Sequence, residues 1–278
     1  MESIELNGVR LSYRDSGCGE RGRPCLLFVH GAGASLEQFS AQYDFFSPRY
    51  RVVLVSLRGH GTSSAPAETE REAYALSAMA EDAAVLIESL GLAPVHYVGC
   101  SMGGVLGLEL ASKRPELLAS LTIFGSVARI ALPDLIRKLI FGFDSYLVRG
   151  DAGRKLRSLA RYVSAKAEVR EAIAAMFLQA RDAIPRIRYA LGSYDYLGTV
   201  LSLDLPCALI RCAKDRDINR SLKPTLAAFE EGARRAAAPR RLIELAGAGH
   251  VANMDEPEGF NSALDAWLTE ARAWSRRA

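Results

Sequence analysis

The pentapeptide Gly99-Cys100-Ser101-Met102-Gly103 sets a serine between two glycines, each two residues away. A serine on a sharp strand-to-helix turn takes strained backbone angles, and side chains at the flanking positions would collide there, so both favour glycine. The turn holds the hydroxyl clear of the backbone at the carboxyl end of a strand. A helix beginning at Met102 points unpaired N–H groups and the positive end of its dipole at the same place, which suits a developing oxyanion. Alone the pentapeptide is a weak signal. Its context strengthens it: the apolar run Val95–Gly99 precedes it and a small-residue helical stretch follows.

A serine hydroxyl is a poor nucleophile without a base to take its proton. The chain has four histidines. His30 ends an apolar run before Gly31 and reads as a positioning residue of that loop. His60 sits in the tight loop Arg58-Gly-His-Gly61, and His96 lies mid-strand as a core or sheet-face residue. His250 lies in Gly247-Ala-Gly-His-Val251, a small-residue loop just past the last strand candidate, and is the expected base. The base needs a carboxylate to fix its tautomer and steady the imidazolium. Asp215, after the run Cys207–Cys212, is the expected partner, with Asp217 its competitor.

These groups need a scaffold that brings distant loops together. Ile4–Tyr13 alternates about Asn7-Gly8, a hairpin signal. Cys25–His30, Arg51–Leu57, Val95–Gly99, Leu118–Phe124, Cys207–Cys212 and Leu242–Ala246 are short apolar runs without clean alternation. They read as strands buried on both faces, hence a mostly parallel sheet. Helical spacing fills Tyr74–Leu90, Met102–Lys113, Thr225–Ala236 and Gly259–Trp274. Strand and helix in alternation give a doubly wound α/β fold. From Leu132 to Ala190 no strand candidate occurs and the apolar residues, Leu135, Ile136, Leu139, Ile140 and Phe143 among them, keep helical spacing. Pro185 is expected to end or kink the last of these helices. This stretch has twelve Lys/Arg against six Asp/Glu. It reads as a helical insertion packed over one edge of the sheet, dividing the chain into a core of 1–131 and 201–278 around an insertion of 132–200.

The 278 residues are 49% hydrophobic and 24% charged, which fits one sizeable globular core and excludes wholesale disorder. A net charge of +3, with no basic run interleaved with aromatics, gives no case for nucleic acid. Five scattered cysteines without a C-x-x-C suggest reduced thiols in a cytoplasmic protein, and no histidine or cysteine spacing suits zinc. The N-terminus lacks a signal-peptide pattern. The longest stretch free of Asp, Glu, Lys and Arg, Ser89–Leu108, is broken by Pro94, His96 and five glycines, so no membrane span is expected. Gly31-Ala-Gly33 is not followed by the third glycine or the acidic residue of a dinucleotide site, and no cofactor is expected.

Five stretches in order give a family resemblance: His30-Gly-Ala-Gly33, Leu57-Arg-Gly-His-Gly-Thr-Ser63, Gly99-Cys-Ser-Met-Gly-Gly104, the Asp215 loop, and Gly249-His-Val-Ala-Asn-Met-Asp-Glu-Pro-Glu258. The chain resembles α/β-hydrolase-fold proteins of the capped esterase, lactonase and haloperoxidase-like group, over nearly its whole length. The order Ser101, Asp215, His250 is the order of that fold. The resemblance implies an eight-stranded mostly parallel sheet, a helical cap after the sixth strand, and an oxyanion hole from the amides of Ala32 and Met102. It implies a Ser-His-Asp acyl-enzyme route on a small-molecule carboxylic ester. Lactone or enol-lactone opening, perhydrolysis and carbon–carbon bond hydrolysis are the alternatives, and a non-enzymatic binding role is disfavoured. A serine at the elbow argues against dehalogenation and epoxide hydrolysis. Arg129 after the sixth strand, Arg211 near the acid and the basic insertion together suggest steering of an anionic substrate, with Arg129 as a substrate contact. Three positions depart from the family pattern: Ser56, where an aspartate commonly stands, Cys212 and Asn219. The first puts local loop hydrogen bonding in doubt, the other two the choice between Asp215 and Asp217.

Overall fold

The computed structural model describes residues 1–17, 23–67, 71–149 and 152–275. Its strands are β1 (Glu2–Leu6), β2 (Val9–Asp15), β3 (Cys25–Val29), β4 (Arg51–Ser56), β5 (Val95–Cys100), β6 (Leu118–Phe124), β7 (Arg129–Ala131), β8 (Ser193–Asp195), β9 (Cys207–Cys212) and β10 (Arg240–Leu245). Its helices are α1 (Ser40–Phe46), α2 (Leu76–Ser89), α3 (Met102–Lys113), α4 (Asp134–Leu147), α5 (Ala152–Ala160), α6 (Ala167–Gln179), α7 (Ile184–Ala190), α8 (Leu197–Ser202), α9 (Arg216–Ser221), α10 (Lys223–Arg235), α11 (Ala252–Asp255) and α12 (Pro257–Ser275).

Eight strands form one sheet in the order β1-β2-β4-β3-β5-β6-β9-β10. The hairpin β1–β2 and the β2–β4 pair are antiparallel; all other pairs are parallel. The expected architecture is therefore present. Every residue of β3 and β5 is buried, because alternate side chains feed two cores, one on each face. Leu27, Val29, Tyr97 and Leu121 join the core under α2, α3 and α10; Leu26, Phe28, Val98 and Phe124 join the one under α1 and α12. In α12, Phe260, Leu264 and Leu268 are fully buried; each such side chain stabilises the fold by about 1.5–3 kcal/mol. Trp267 is buried beside them and its indole N–H donates to Thr122 Oγ1 at 3.0 Å, so its one polar atom is satisfied.

Local signals set the helix ends. Gly91, at φ +60°, follows α2 as a left-handed stop. Pro115 keeps Arg114 out of the helical region, at φ −138° and ψ 53°, and α3 ends there. The register pairs Val29 with Gly99, Gly99 with Ile123, Phe124 with Ile210 and Cys212 with Leu245. The loops after these strands therefore emerge along one edge of the sheet.

Helices α4 to α7 follow β6 as the insertion, and the antiparallel ribbon β7–β8 closes its base. Two features differ from expectation. Pro185 starts a helix instead of ending one: it lies in the first turn of α7, where its missing N–H costs nothing. Helix α4 does not bury its apolar stripe; Leu135, Leu139 and Phe143 are exposed, and Asp144 is its buried residue. Among the described residues no helix is long and apolar enough to cross a membrane. Cys25, Cys100, Cys207 and Cys212 are all buried, and the last three are free thiols. Cys18 and the tail 276–278 lie outside the described residues.

Candidate active site

Ser101 occupies the turn between β5 and α3 at φ +51° and ψ −115°, a strained left-handed geometry for a residue with a side chain. Its amide donates to Phe124 O at 2.8 Å and its carbonyl accepts from Ser126 Oγ at 2.7 Å, so the strain is held from the neighbouring strand. The glycines follow from close approach. A Cβ on Gly99 would lie 2.4 Å from the Gly103 carbonyl carbon, and one on Gly103 would lie 2.1 Å from Val29 O. Cys100 is fully buried, and burial pushes its thiol far above the ordinary cysteine range. It is a packed residue and not a nucleophile.

Asp215 caps the start of α9, accepting from the Ile218 amide at 3.3 Å through Oδ1. Its Oδ2 accepts from His250 Nδ1 at 2.7 Å. In a neutral ring that donation leaves Nε2 as the atom with a lone pair. Asp217 instead faces solvent and pairs with Arg220 at 3.4 Å. Asn219 steadies the acid loop by donating to Cys212 O at 2.9 Å. His250 lies against the serine turn: a Cβ on Gly125 would sit 2.8 Å from His250 O and 3.4 Å from its ring, and Cys100 Sγ is 3.9 Å from the same carbonyl. Among the described residues Ser101 Oγ has no hydrogen-bond partner, the ring of His250 included.

The loop after β3 faces the serine from the other side, where a Cβ on Gly31 would lie 3.3 Å from that of Ser101. Its amides are mostly committed. Gly31 N–H donates to Gln38 Oε1 at 3.1 Å, Gly33 N–H to His60 Nε2 at 3.1 Å, and Ala34 N–H to Gly31 O at 3.1 Å. The amides of Ala32 and Met102 have no acceptor among the described residues; Met102 is the first residue of α3 and has none within the helix. From the insertion, Phe177 of α6 reaches within 2.6 Å of where a Gly33 Cβ would be.

His30 and His60 act as buried braces. His30 Nε2 accepts from the Leu57 amide at 3.0 Å, and the two rings stand 4.7 Å apart. Arg58, between them in the second loop, is clamped by Asp82 at 2.6 Å through two nitrogens. Ser56 replaces the family's aspartate without loss of anchoring: its Oγ accepts from the Leu36 amide at 3.1 Å and its carbonyl from Ser63 Oγ at 2.6 Å.

Burial lowers His60 and His96 to about 4, and burial together with the nearby His60 lowers His30 well below its ordinary value. The unfolded chain takes up these protons below about pH 6.5 while the fold refuses them. Stability from this source is thus full above about pH 6.5 and is lost as the pH falls towards 4. His60 and His96 should each cost about 2 kcal/mol of unfolding free energy by pH 5. Urea unfolding at pH 7 and pH 5 measures it; identical free energies would contradict neutral buried histidines.

Sequence reasoning missed a buried amide network. Gln38 Nε2 donates to Asn253 Oδ1 at 3.2 Å, Asn253 Nδ2 to Gln42 Oε1 at 3.0 Å, and Gln42 Nε2 to Asn261 Oδ1 at 2.9 Å. It ties the Gly31 loop to the segment just after His250. Asp255 was missed too: Oδ2 accepts from the Gly249 amide at 2.9 Å and Oδ1 from Ser164 Oγ at 2.5 Å, linking the histidine loop to the insertion. Arg129 is not brought to this group. It is exposed and ion-paired with Asp195 at 3.5 Å across the β7–β8 ribbon. Arg211 pairs with Glu244 at 3.5 Å. Other cations do approach. A cavity of about 570 Å³ beside His250 and Asp215 has Arg161, Lys166, Lys214 and Arg216 in its lining, together with Asp255. Among the described residues no cluster of His, Cys, Asp or Glu could hold a metal ion.

Residues 26–263 match the model of the alpha/beta hydrolase family. The chain belongs to that family. It is 37% identical over 121 residues to the magnesium-chelatase 30 kDa subunit of Rhodobacter capsulatus, a match covering 42% of each chain. It is 29% identical over 129 residues to 3-oxoadipate enol-lactonase 2 of Acinetobacter baylyi, covering 46% of each. Each of these two matches spans less than half of the relative's length. The solved enol-lactonase of Burkholderia xenovorans LB400 superposes with a TM-score of 0.80 at 24% identity, over 97% of this chain and 100% of that one, a likeness of fold.

Proposed function

We propose that the protein is a serine hydrolase that cleaves a small carboxylic ester through an acyl-enzyme. The observation that carries this reading is the strained turn at Ser101, φ +51°, lying beside the loop where His250 and Asp215 meet at 2.7 Å. Ser101 Oγ attacks the carbonyl carbon and gives its proton to His250 Nε2, while Asp215 holds the ring and balances the imidazolium. The carbonyl oxygen becomes an oxyanion held by the amides of Ala32 and Met102, each worth about 3–4 kcal/mol in such a hole. The intermediate collapses, the alcohol leaves with the histidine's proton, and water then cleaves the acyl-serine with His250 as base. The serine–histidine hydrogen bond belongs to the substrate complex, since such contacts tighten only there. A lactone differs only in having its alcohol tethered, so it fits the same steps. In this reading residues 132–200 form a cap, and Phe177 is its wall over the oxyanion loop.

The cavity beside His250 points to the substrate's charge. Most surface arginines here have carboxylate partners, such as Arg49 with Asp265 and Arg241 with Glu270. Arg161, Lys214 and Arg216 have none among the described residues, and Lys166 donates to the carbonyl of Asp255. Set against the Asp215 and Asp255 carboxylates on the same wall, these cations leave the lining net positive, which favours an anionic ester.

One panel tests both statements: 4-nitrophenyl hexanoate, the mono-4-nitrophenyl ester of adipic acid, a lactone and an epoxide. Both esters should turn over and the epoxide should not. The charged ester should have a kcat/KM about tenfold higher at low salt, an advantage that shrinks at high salt. Equal, salt-insensitive rates would remove the anionic preference and leave ester cleavage standing. Turnover of the epoxide alone would overturn the mechanism.

A further inference from the structure

Helix α4 is inverted relative to the usual amphipathic helix. Leu135, Leu139, Phe143 and Tyr146 are 68%, 61%, 61% and 67% exposed, and Ile136 is 41% exposed. At 3.6 residues per turn these side chains share one face, an arc of roughly 100°. Lone exposed leucines are ordinary, but a contiguous stripe of large apolar side chains marks a contact surface. Two polar side chains of the helix, Arg137 and Asp144, turn inward instead. Asp144 is buried and accepts from Arg188 Nη1 at 2.7 Å, while Arg137 stacks 4.0 Å from the Tyr189 ring centroid and donates to Tyr189 O at 3.1 Å. These contacts fix the helix with its apolar side out.

Charge decides between occupants. The segment Leu132–Ala190 carries twelve Lys/Arg and six Asp/Glu. A second copy docking through α4 would set two such positive surfaces against each other. An anionic bilayer would not: apolar side chains would enter the acyl region while cations at the helix flanks meet headgroups. Arg149 lies exposed just beyond the helix, and Lys155 stands 4.5 Å from the Tyr146 ring centroid at the edge of the stripe. The helix is 14 residues long, too short to span a bilayer, so it would lie in the interface. We propose that α4 docks this face of the protein onto an anionic membrane surface, with Leu135, Leu139, Phe143 and Tyr146 as the inserted residues.

Co-sedimentation of the full chain with phosphatidylcholine vesicles, with and without phosphatidylglycerol, tests this. Binding should require phosphatidylglycerol and weaken about tenfold or more in high salt. Leu139→Ser with Phe143→Ser should cost at least about tenfold in binding, with Tm unchanged because neither side chain is buried. Arg149→Glu with Lys155→Glu should do the same. Three results would overturn the proposal. One is no binding of the unmodified chain to phosphatidylglycerol vesicles, and another is undiminished binding by the Leu139→Ser, Phe143→Ser variant. The third is a dimer in sedimentation velocity that this variant dissolves, which would give the face to a second copy.

Discussion

Gly103→Ala is expected to destabilise the protein by about 4 kcal/mol or more, at the upper end of single substitutions. The new methyl would lie 2.1 Å from Val29 O, 2.7 Å from Val29 C and 2.9 Å from His30 O. All three are backbone atoms. Val29 is paired on both sides, with Val55 and Gly99, so it cannot retreat without breaking the sheet. Helix α3 would have to lift instead, carrying Met102 and its amide away from the Gly31 loop and losing the Gly103 N–H bond to His30 O at 3.1 Å. Gly142→Ala makes the control. A Cβ there meets nothing within 4 Å, so helix propensity should leave stability unchanged or raise it by about 1 kcal/mol. Urea unfolding of both variants checks the pair. An unaltered midpoint in Gly103→Ala would mean that the helix does not press against strand β3 as described.

Ser101→Ala should lower kcat for an ester on the order of 10⁵-fold, because triad members act as a unit and little remains once the nucleophile is gone. The fold should not notice. Ser101 Oγ bonds to no described residue, and alanine at φ +51° bears the same backbone strain as serine. Loss of turnover with an unchanged unfolding curve therefore separates a chemical role from a structural one. A loss of both would say instead that the hydroxyl supports the turn.

Much of the fold was legible because its signals are local and periodic. The apolar runs from Cys25, Leu118 and Cys207 became strands β3, β6 and β9, and the helix begun at Met102 ended at Lys113 ahead of Pro115. Strands β7 and β8 were not legible; three residues each give no period, and only their pairing across the insertion defines them. The same limit hid the orientation of α4. Spacing shows that Leu135, Leu139 and Phe143 share a face but not which way it points, and that was decided by where Asp144 and Arg137 found partners.

At the candidate site the elbow glycines and the His250 loop were visible as small residues at fixed offsets. Asp215 and Asp217 differ only in helix position: one caps α9 and faces His250, the other lies in the first turn and faces solvent. Sequence offered no such distinction. Gln38, Gln42 and Asn253 were invisible for a different reason. Amides carry no hydrophobic period, and Gln38 and Asn253 meet across 215 positions of chain. Arg129 stands next to a strand end in sequence, and its pairing with Asp195 across the β7–β8 ribbon is visible only in the fold.

The central claim is that Ser101 is the activated nucleophile, and a fluorophosphonate tests it most directly. Intact mass and peptide mapping after brief exposure should find one adduct per chain of the unmodified protein, on Ser101, and none on Ser101→Ala. An unlabelled protein, or an adduct on another residue that persists in Ser101→Ala, would contradict the account.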